Sequence, residues 1–329
     1  MGRSQPNLLA LNYNENGLAP DENLVYWEWL FGLFYNKAPT FDDSSLGVLL
    51  NSCVALVTVA ESVEAVAVVR EVVDLALLRQ GQALWSCVAS NPAAWAELGR
   101  RVQSPGIFKE GVIHLIGKWN TFTEDQKTKM NEETRALCER KFKQLEVAKE
   151  AIELRILGHY PPFLCRDAGT KPGRANYSND IYMWMAICFY RQWFAQAISD
   201  GRNRQSPDGG YLFYHQIGAG GNAYLNHENF LNFHKYFPMS SKACHVLEAN
   251  MVIMKEDVKA FVKDILVNNT NVDAVVCKNL NWLTCARINK EDFPWFVAEE
   301  IDTNMDSYDM SQQSPDHDGD VEEDFEEAM

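Results

Sequence analysis

The sequence predicts a mainly α-helical protein, and three observations carry that prediction. Between Tyr26 and Asn120 the apolar residues recur at spacings of three and four, which is the period of one face of a helix. Further along the chain, residues typical of helix caps and helix ends divide the sequence into segments. A dense aromatic run from Ile181 to Ile198 has helical length and is followed by Gly201. We therefore expect a multi-helix array.

The first helices are predicted in the region 24–120. One helix begins near Tyr26 and ends near Asn36. A second helix carries a continuous apolar stripe with no reactive group on it. The stripe consists of Leu46, Leu49, Leu50, Cys53, Leu56, Val57 and Ala60. We expect Leu49, Leu56 and Trp119 to be buried. Such a region is typical of a helical interaction module.

Several segments resemble the fungal BTB/POZ-like domain proteins. A helix ending near Asn36, a turn at 42–45, an aliphatic helix and another helix after Val68-Val69-Arg70 look like the last three helices of a BTB/POZ domain. Further similar segments are 95–98, 104–110, 114–119, 222–228, 237–242 and 292–295. The resemblance covers most of residues 24 to 296. It rests on patterns distributed along the chain and on short sequence motifs.

The resemblance implies a scaffold or adaptor that binds other proteins and has no catalytic activity. In complete BTB/POZ proteins the helices matched here by residues 26–80 can contact cullin scaffolds, so a cullin-type scaffold is an expected class of partner. A complete BTB/POZ domain begins with a strand hairpin and a helix that commonly form the dimer interface. We expect this chain to lack that part, because only an arm of residues 1–23 precedes the first helix.

The region 121–298 is predicted to be a helical C-terminal region. Thr123-Glu-Asp-Gln126 matches a capping box, and its helix is expected to run to Leu157, before Gly158. Residues 162–180 read as a loop, and a late helix is expected from Ser241 to about Asn268. We attribute the aromatic residues of the run 181–198 to packing, with an aromatic cage for a ligand as the alternative.

A glycine motif at Gly218–Ala223 is the basis of the alternative function, a nucleotide-cofactor-binding enzyme. Its spacing fits the GxGxxG/A fingerprint, in which small residues let the backbone approach a pyrophosphate at the start of a helix. That site also needs a following strand with an acidic residue about 20 positions on. Here Phe237–Ser240 opens another helix instead. We therefore predict a turn between helices, with no cofactor.

Other chemical motifs are weak. His227, His234, Cys244 and His245 could in principle gather around zinc, but structural zinc sites usually contain close pairs such as CxxC or HxxxH. The sequence contains no GxSxG, HExxH or GxxxxGK[ST] motif. We consequently assign no catalytic, cofactor-binding or metal-ligating residue.

The charge is concentrated at the end of the chain. Residues 299–329 contain thirteen acidic residues and no Lys or Arg, so they carry −13 of the net −15 and leave −2 on the rest. Nucleic-acid binders usually show a basic excess, which this chain lacks. The composition of 299–329 predicts a disordered acidic tail, because few apolar side chains are present to offset the entropy of ordering.

The cysteines and the hydropathy indicate the surroundings in which the protein works. The eight cysteines are spread without a CxxC pair, as expected for reduced thiols inside the cell. The uncharged run 44–60 is shorter than the roughly 20 apolar residues of a membrane helix. We expect an intracellular protein of the cytoplasm or nucleus that binds other proteins and neither membranes nor nucleic acids.

Overall fold

The fold is helical throughout the part of the chain that the structure describes. The computed structural model describes residues 21–164, 180–277 and 279–296. Within these ranges no residue lies in a strand, which confirms the predicted mainly α-helical class. The α-helices are α1 (Asp21–Phe34), α2 (Leu46–Ser62), α3 (Val66–Leu78), α4 (Gln82–Ser90), α5 (Pro92–Arg101), α6 (Pro105–Gly117), α7 (Glu124–Thr128), α8 (Glu132–Gly158), α9 (Tyr182–Ser199), α10 (Tyr211–Ala219), α11 (His227–Tyr236), α12 (Ser241–Val262) and α13 (Ala274–Cys277).

The first five helices and the start of α6 enclose one hydrophobic core, which we call the N-terminal cluster. Its buried members are Leu30, Leu49, Cys53, Leu56, Val57, Ala60, Val69, Val73, Leu77, Leu84, Val88, Trp95, Leu98, Val102 and Ile107. Ser45 caps the start of helix α2, since its side chain accepts a hydrogen bond from the Val48 amide. Leu49 is 1% exposed, Leu56 0% and Trp119 4%. The predicted burial of these three residues is therefore confirmed.

A second core, the C-terminal cluster, is shared by α6 and the helices from α8 to α12. It contains many aromatic side chains, of which the largest fully buried are Tyr190, Phe194, Tyr214 and Phe108. Helix α6 takes part in both cores, since Ile107 belongs to the first and Phe108 to the second. The chain up to Trp295 is one compact unit across its described residues.

The helix predicted from Thr123 to Leu157 is interrupted. The capping box at Thr123 is present, but α7 ends at Thr128 and α8 begins only at Glu132. The side chain of Asn131 accepts hydrogen bonds from the amides of Glu133 and Thr134 at 3.0 and 3.3 Å, so it caps a new helix. The prediction was wrong at this point because an asparagine that satisfies two free amides starts a helix better than it continues one. The predicted end at Gly158 is confirmed.

Two other predicted boundaries differ slightly from the structure. Helix α1 begins at Asp21 rather than near Tyr26. Helix α12 ends at Val262 and tightens into a 3-10 turn at Lys263–Leu266, whereas an α-helix was expected to about Asn268. Helix ends often tighten in this way to satisfy their last carbonyls. Most of the predicted loop 162–180, most of the arm and the whole of the acidic tail lie outside the described residues.

Buried polar groups of α6 hydrogen-bond to the part of the chain that follows α12. Glu110 is 0% exposed, and its carboxylate accepts hydrogen bonds from the backbone amide of Asn271 at 3.0 and 2.8 Å. His114 Nδ1 accepts a hydrogen bond from Trp282 Nε1 at 3.1 Å. A buried carboxylate is tolerated where several donors satisfy it, so these contacts fix the path of the chain after α12. None of the described helices combines the length and hydrophobicity that crossing a membrane requires.

Candidate functional site

An open groove of about 650 Å³ lies between α9 and α11. We call it the aromatic–amide groove, because aromatic rings and carboxamides form most of its lining. The lining residues are Phe189, Gln192, Trp193, Gln196, Arg202, Leu225, Asn229, Asn232, Phe233, Tyr236 and Phe237. Its volume falls within the usual range of ligand-binding clefts, roughly 300 to 1,000 Å³.

Helical periodicity places two matching rows of side chains along the groove. Helix α9 contributes Phe189, Gln192, Trp193 and Gln196, at positions i, i+3, i+4 and i+7. Helix α11 contributes Asn229, Asn232, Phe233 and Tyr236 at the same four positions. Residues at these spacings share one face of a helix. Each helix therefore presents two aromatic rings and two carboxamides to the groove.

The aromatic part of the groove is held by ring packing beneath it. The Trp193 ring stacks on Tyr224, with centroids 4.5 Å apart, and Tyr224 is only 4% exposed. Phe189 stacks on the buried Phe230 at 5.1 Å. Phe233 meets the edge of Phe189 at 5.2 Å and joins the two rows. These contacts order the floor of the groove before any ligand arrives.

At the rim, two aromatic side chains are exposed to solvent. Tyr236 is 81% exposed and Phe237 is 60% exposed, although Phe237 stacks on Phe233 with centroids 4.9 Å apart. Exposed large rings beside a cleft are typical of binding surfaces, since covering them removes apolar area from water. The rim of the groove is therefore available to a ligand.

The carboxamides keep hydrogen-bonding capacity after their internal contacts are counted. Asn229 Oδ1 accepts from the Asn226 amide in the capping box of α11 at 2.9 Å, and Asn232 Oδ1 accepts from Lys235 at 2.9 Å. Gln196 donates to Asp200 at 2.7 Å. Because each carboxamide has two donors and one acceptor oxygen, the NH₂ groups of both asparagines and the oxygen of Gln196 can bond a ligand.

The charges at the groove nearly cancel. Arg202 is the charged lining residue, and its guanidinium lies 3.4 Å from the Asp200 carboxylate. Both side chains are almost half exposed, so solvent screens the pair. The groove thus recognises a ligand mainly by apolar contact and by neutral hydrogen bonds.

A buried polar network positions the loop that carries Arg202. Glu153 of α8 accepts hydrogen bonds from the Tyr214 hydroxyl at 2.7 Å and from Asn203 Nδ2 at 3.3 Å. Burial, followed by the hydrogen bond to Glu153, raises the pKa of Tyr214 well above its usual value. The hydroxyl consequently remains a donor at every physiological pH. Since Asn203 is 1% exposed, the residue next to Arg202 is fixed in the interior.

The glycine motif was predicted to be a turn between helices, and it comprises the end of α10 and a 3-10 turn at Gly221–Ala223 that leads towards α11. Gly218 lies within α10, and Gly220, with φ of +64°, ends that helix. The Gly220 amide bonds back to Gln216 and Ile217. From the other side, the buried Lys255 donates to the carbonyl oxygens of Gly221 at 2.7 Å and Leu225 at 2.9 Å. The groups around this turn thus serve the protein's own packing.

The residues considered for zinc lie on α11 and α12. His227 is exposed and bonds Glu248 at 2.8 Å, and His245 is also exposed. Cys244 is a free, half-buried thiol. In the described part of the chain, no three His, Cys, Asp or Glu side chains are grouped so that they could hold a metal ion.

Sequence reasoning missed the groove. The aromatic residues of α9 were attributed to packing, which is correct for Tyr190 and Phe194, both 0% exposed. Phe189 and Trp193 are only partly buried and line the groove. A signal was available, because Phe189, Gln192, Trp193 and Gln196 share a face that is neither fully apolar nor charged. Nothing in the sequence indicated that α11 lies opposite that face.

Comparison with protein families locates one match, which includes the groove. Residues 161–264 match the model of the fungal FF domain. The FF domain is a helical protein-interaction module, which agrees with an interaction role. The match spans less than a third of the chain. No curated protein and no solved structure matches the sequence.

The match overturns the resemblance to fungal BTB/POZ-like proteins. The family found is the FF domain, and nothing supports a BTB/POZ-like domain. The resemblance was wrong because it rested on apolar residues at helical spacing and on short motifs of four to seven residues. Any pair of packed amphipathic helices shows that spacing. The expected cullin-type partner depended on the same resemblance and is withdrawn with it.

Proposed function

We propose that the aromatic–amide groove binds an extended segment of a partner protein, and that the protein acts as an adaptor without catalysis. The observation that carries this proposal is the repeated arrangement of rings and carboxamides on α9 and α11. The FF-domain match over the same helices supports an interaction role.

The chemistry of the lining favours an extended peptide over a helical one. A helix satisfies its own backbone amides and carbonyls and would leave the groove carboxamides without peptide partners. An extended segment has free N–H and C=O groups, which the NH₂ groups of Asn229 and Asn232 and the oxygen of Gln196 can bond. Its apolar side chains would then lie against Trp193 and Phe233.

Selection from a random peptide display library tests this proposal with the full chain as bait. We expect enriched peptides whose apolar residues recur at every second position, the period of an extended chain. Enrichment at spacings of three and four would instead indicate a helical ligand and contradict the proposed mode. An absence of enrichment over a bait-free selection would contradict peptide binding in this groove.

The matched variants are Tyr236→Ala and Leu231→Ala, both at exposed positions of α11. Tyr236 lines the groove, whereas Leu231, which is 49% exposed, does not. Loss of an aromatic anchor should weaken an enriched peptide by about tenfold, as measured by fluorescence anisotropy. Leu231→Ala should bind like the wild type. Equal effects of the two changes would place the peptide elsewhere.

Two further measurements separate the proposal from its alternatives. Because Arg202 is paired with Asp200, peptide affinity should change less than about twofold between 50 and 300 mM salt. A steep salt dependence would indicate an ionic ligand. For the enzyme alternative, a thermal-shift screen with NAD, FAD and ATP should show no stabilisation. Stabilisation that Gly220→Val removes would favour nucleotide binding at Gly218–Ala223.

A further inference from the structure

The outward face of α1 is aromatic and uncovered in the described part of the chain. Leu24 is 50% exposed, Phe31 56%, Phe34 55% and Tyr35 79%. Together with the partly buried Trp27 they occupy one side of the helix, because their spacing follows the period of 3.6 residues. We call these five residues the α1 face. Its rings make one contact among themselves, the stacking of Trp27 on Phe31 at 5.9 Å.

The inward side of the same helix is already used. Leu30 is 0% exposed and belongs to the N-terminal cluster, and Tyr26, Trp29 and Leu33 pack against that cluster. A helix with apolar side chains on two opposite sides normally buries both of them. The α1 face therefore has the composition of an interface for which the described chain supplies no cover.

We propose that a second copy of this chain covers the α1 face, with the two α1 helices packed antiparallel about a two-fold axis near residue 29. In that register Leu24 opposes Phe34 of the second copy, and Trp27 opposes Phe31 of the second copy. Each contact occurs twice, as a two-fold interface requires. The α1 face is thus complementary to a second copy of itself. A surface that binds an unrelated partner does not need this property.

The area of the α1 face suits a weak dimer. A large aromatic side chain buries about 150 to 250 Å² when it is covered. Leu24, Phe31 and Phe34 are about half exposed, Tyr35 is more exposed and Trp27 less, so together they would bury on the order of 500 Å² per copy, near the lower limit for specific interfaces. A dissociation constant on the order of micromolar is therefore expected, with the dimer in exchange with the monomer.

Charge opposes the dimer at low salt and gives it a characteristic salt dependence. Glu28 is the charged residue among the described side chains of α1 from Leu24 to Phe34, and helical spacing places this exposed carboxylate at the edge of the α1 face, beside Leu24 and Phe31. Each copy carries a net charge of −15, mostly in residues 299–329, and the two copies repel each other. Added salt screens that repulsion. The dimer should therefore become tighter as salt rises from 20 to 300 mM.

Sedimentation equilibrium of the full chain tests the proposal. We expect a monomer–dimer equilibrium that Phe31→Glu shifts to monomer, because a carboxylate would be buried opposite Trp27 of the second copy. The matched control is Leu75→Glu on α3, which is 53% exposed and not part of the α1 face. It should dimerise like the wild type. Should Phe31→Glu lose its helical circular dichroism, Tyr35→Asp at the more exposed position takes its place.

Disulfide trapping tests the register. In a Cys188→Ser background, which removes an exposed native thiol, Leu24→Cys and Phe34→Cys are prepared as separate proteins. Mild oxidation should link the mixture into a heterodimer, and either protein alone should give a small fraction of that product. The equivalent atoms of two Leu24→Cys chains would lie roughly 15 Å apart along the helices.

Three results would overturn the proposal. A wild-type chain that remains monomeric at 100 µM has no such dimer. Equal loss of dimer in Phe31→Glu and Leu75→Glu places the contact elsewhere. Efficient homodimer cross-linking of Leu24→Cys alone excludes the antiparallel register. Loss of peptide binding by Tyr236→Ala is a separate measurement. The proposed peptide binding in the groove and the proposed dimer are therefore tested independently.

Discussion

The N-terminal and C-terminal clusters achieve burial with different side chains. Among the described members of the N-terminal cluster, Trp95 is the one buried aromatic residue, and the others are aliphatic or Cys53. The C-terminal cluster buries Tyr190, Phe194, Tyr214 and Tyr224, and it lies beside buried polar groups such as Glu153 and Lys255. A purely apolar core needs the right volume, whereas a core with polar groups also needs every group bonded.

The largest expected effect lies in the polar network of the second region. Glu153→Ala removes the acceptor for Tyr214 and Asn203 and leaves both groups buried without it. Loss of one partner of a buried polar network costs about 3 to 5 kcal/mol in the free energy of unfolding. Denaturant unfolding followed by circular dichroism measures it. Glu150→Ala is the control. Glu150 lies on the same helix and pairs with Arg204 at the surface, so its loss should cost under about 1 kcal/mol in the free energy of unfolding.

If Glu153→Ala were as mild as Glu150→Ala, the network would be filling space rather than fixing the loop around Arg202. The affinity of Glu153→Ala for an enriched peptide is a second measurement. If Asn203 moves, the neighbouring Arg202 should move with it, and peptide binding in the groove should weaken.

The next effect tests the aliphatic region. Leu56→Ala leaves a cavity in the N-terminal cluster, where Leu56 is 0% exposed, and should cost about 2 to 5 kcal/mol. Leu75→Ala on α3 serves as control, because Leu75 is 53% exposed. It should change the free energy of unfolding by less than about 0.5 kcal/mol. An unchanged midpoint for Leu56→Ala would mean that the apolar stripe of α2 does not form the core.

The two regions also differ in how far the sequence predicts them. The stripe of α2 is periodic, so Leu49 and Leu56 could be assigned to the core from spacing alone. The partners Glu153 and Tyr214 are 61 residues apart, and no local pattern connects them. The same holds for the groove, since the pairing of Phe189 with Phe233 depends on how α9 packs on α11. Periodicity predicts which face is buried and does not predict what lies opposite.

Helix-capping residues are less predictable from sequence than the periodic stripe of α2 and more predictable than the long-range contacts. The box at Thr123 was recognised, while the equally local signal at Asn131 was not, because the charged residues after it read as one continuous helix. The family resemblance failed for a related reason. Helical spacing is common to most α proteins, so it indicates the class of fold and carries little information about ancestry.

A moderate effect is expected at the start of α8. Asn131→Ala removes the side chain that accepts from the amides of Glu133 and Thr134, and it should cost about 1 kcal/mol. Asn131→Asp keeps an acceptor at the helix N-terminus and should retain most of the stability. The difference between the two variants, measured by thermal unfolding, isolates the cap. Equal loss in both would indicate that packing near Met130, rather than capping, starts the helix.

The smallest effect concerns Asp292, which ties the last described segment to α8. Its carboxylate lies 2.6 Å from Lys141 Nζ and 2.9 Å from Arg140 Nη2. Burial alone would raise the pKa of Asp292, but the bonds from Lys141, from the Asn289 amide and from Arg140 hold it below the ordinary value of 3.8. A carboxyl with a lowered pKa stabilises the fold above its unfolded-state pKa, and that contribution disappears as the pH falls through the folded-state value.

Asp292→Asn should therefore be less stable than the wild type at pH 7, by about 1 kcal/mol, because the exposed Arg140 contributes little and the new carboxamide oxygen can still accept from the mostly buried Lys141. The difference should persist to about pH 4 and shrink below pH 3.8, where the wild-type carboxyl begins to lose its advantage. Asp125→Asn removes an ion pair whose two side chains are both 73% exposed, and at pH 7 it should cost less stability than Asp292→Asn. A difference that grew as the pH fell would mean that burial, and not the cations of α8, governs Asp292.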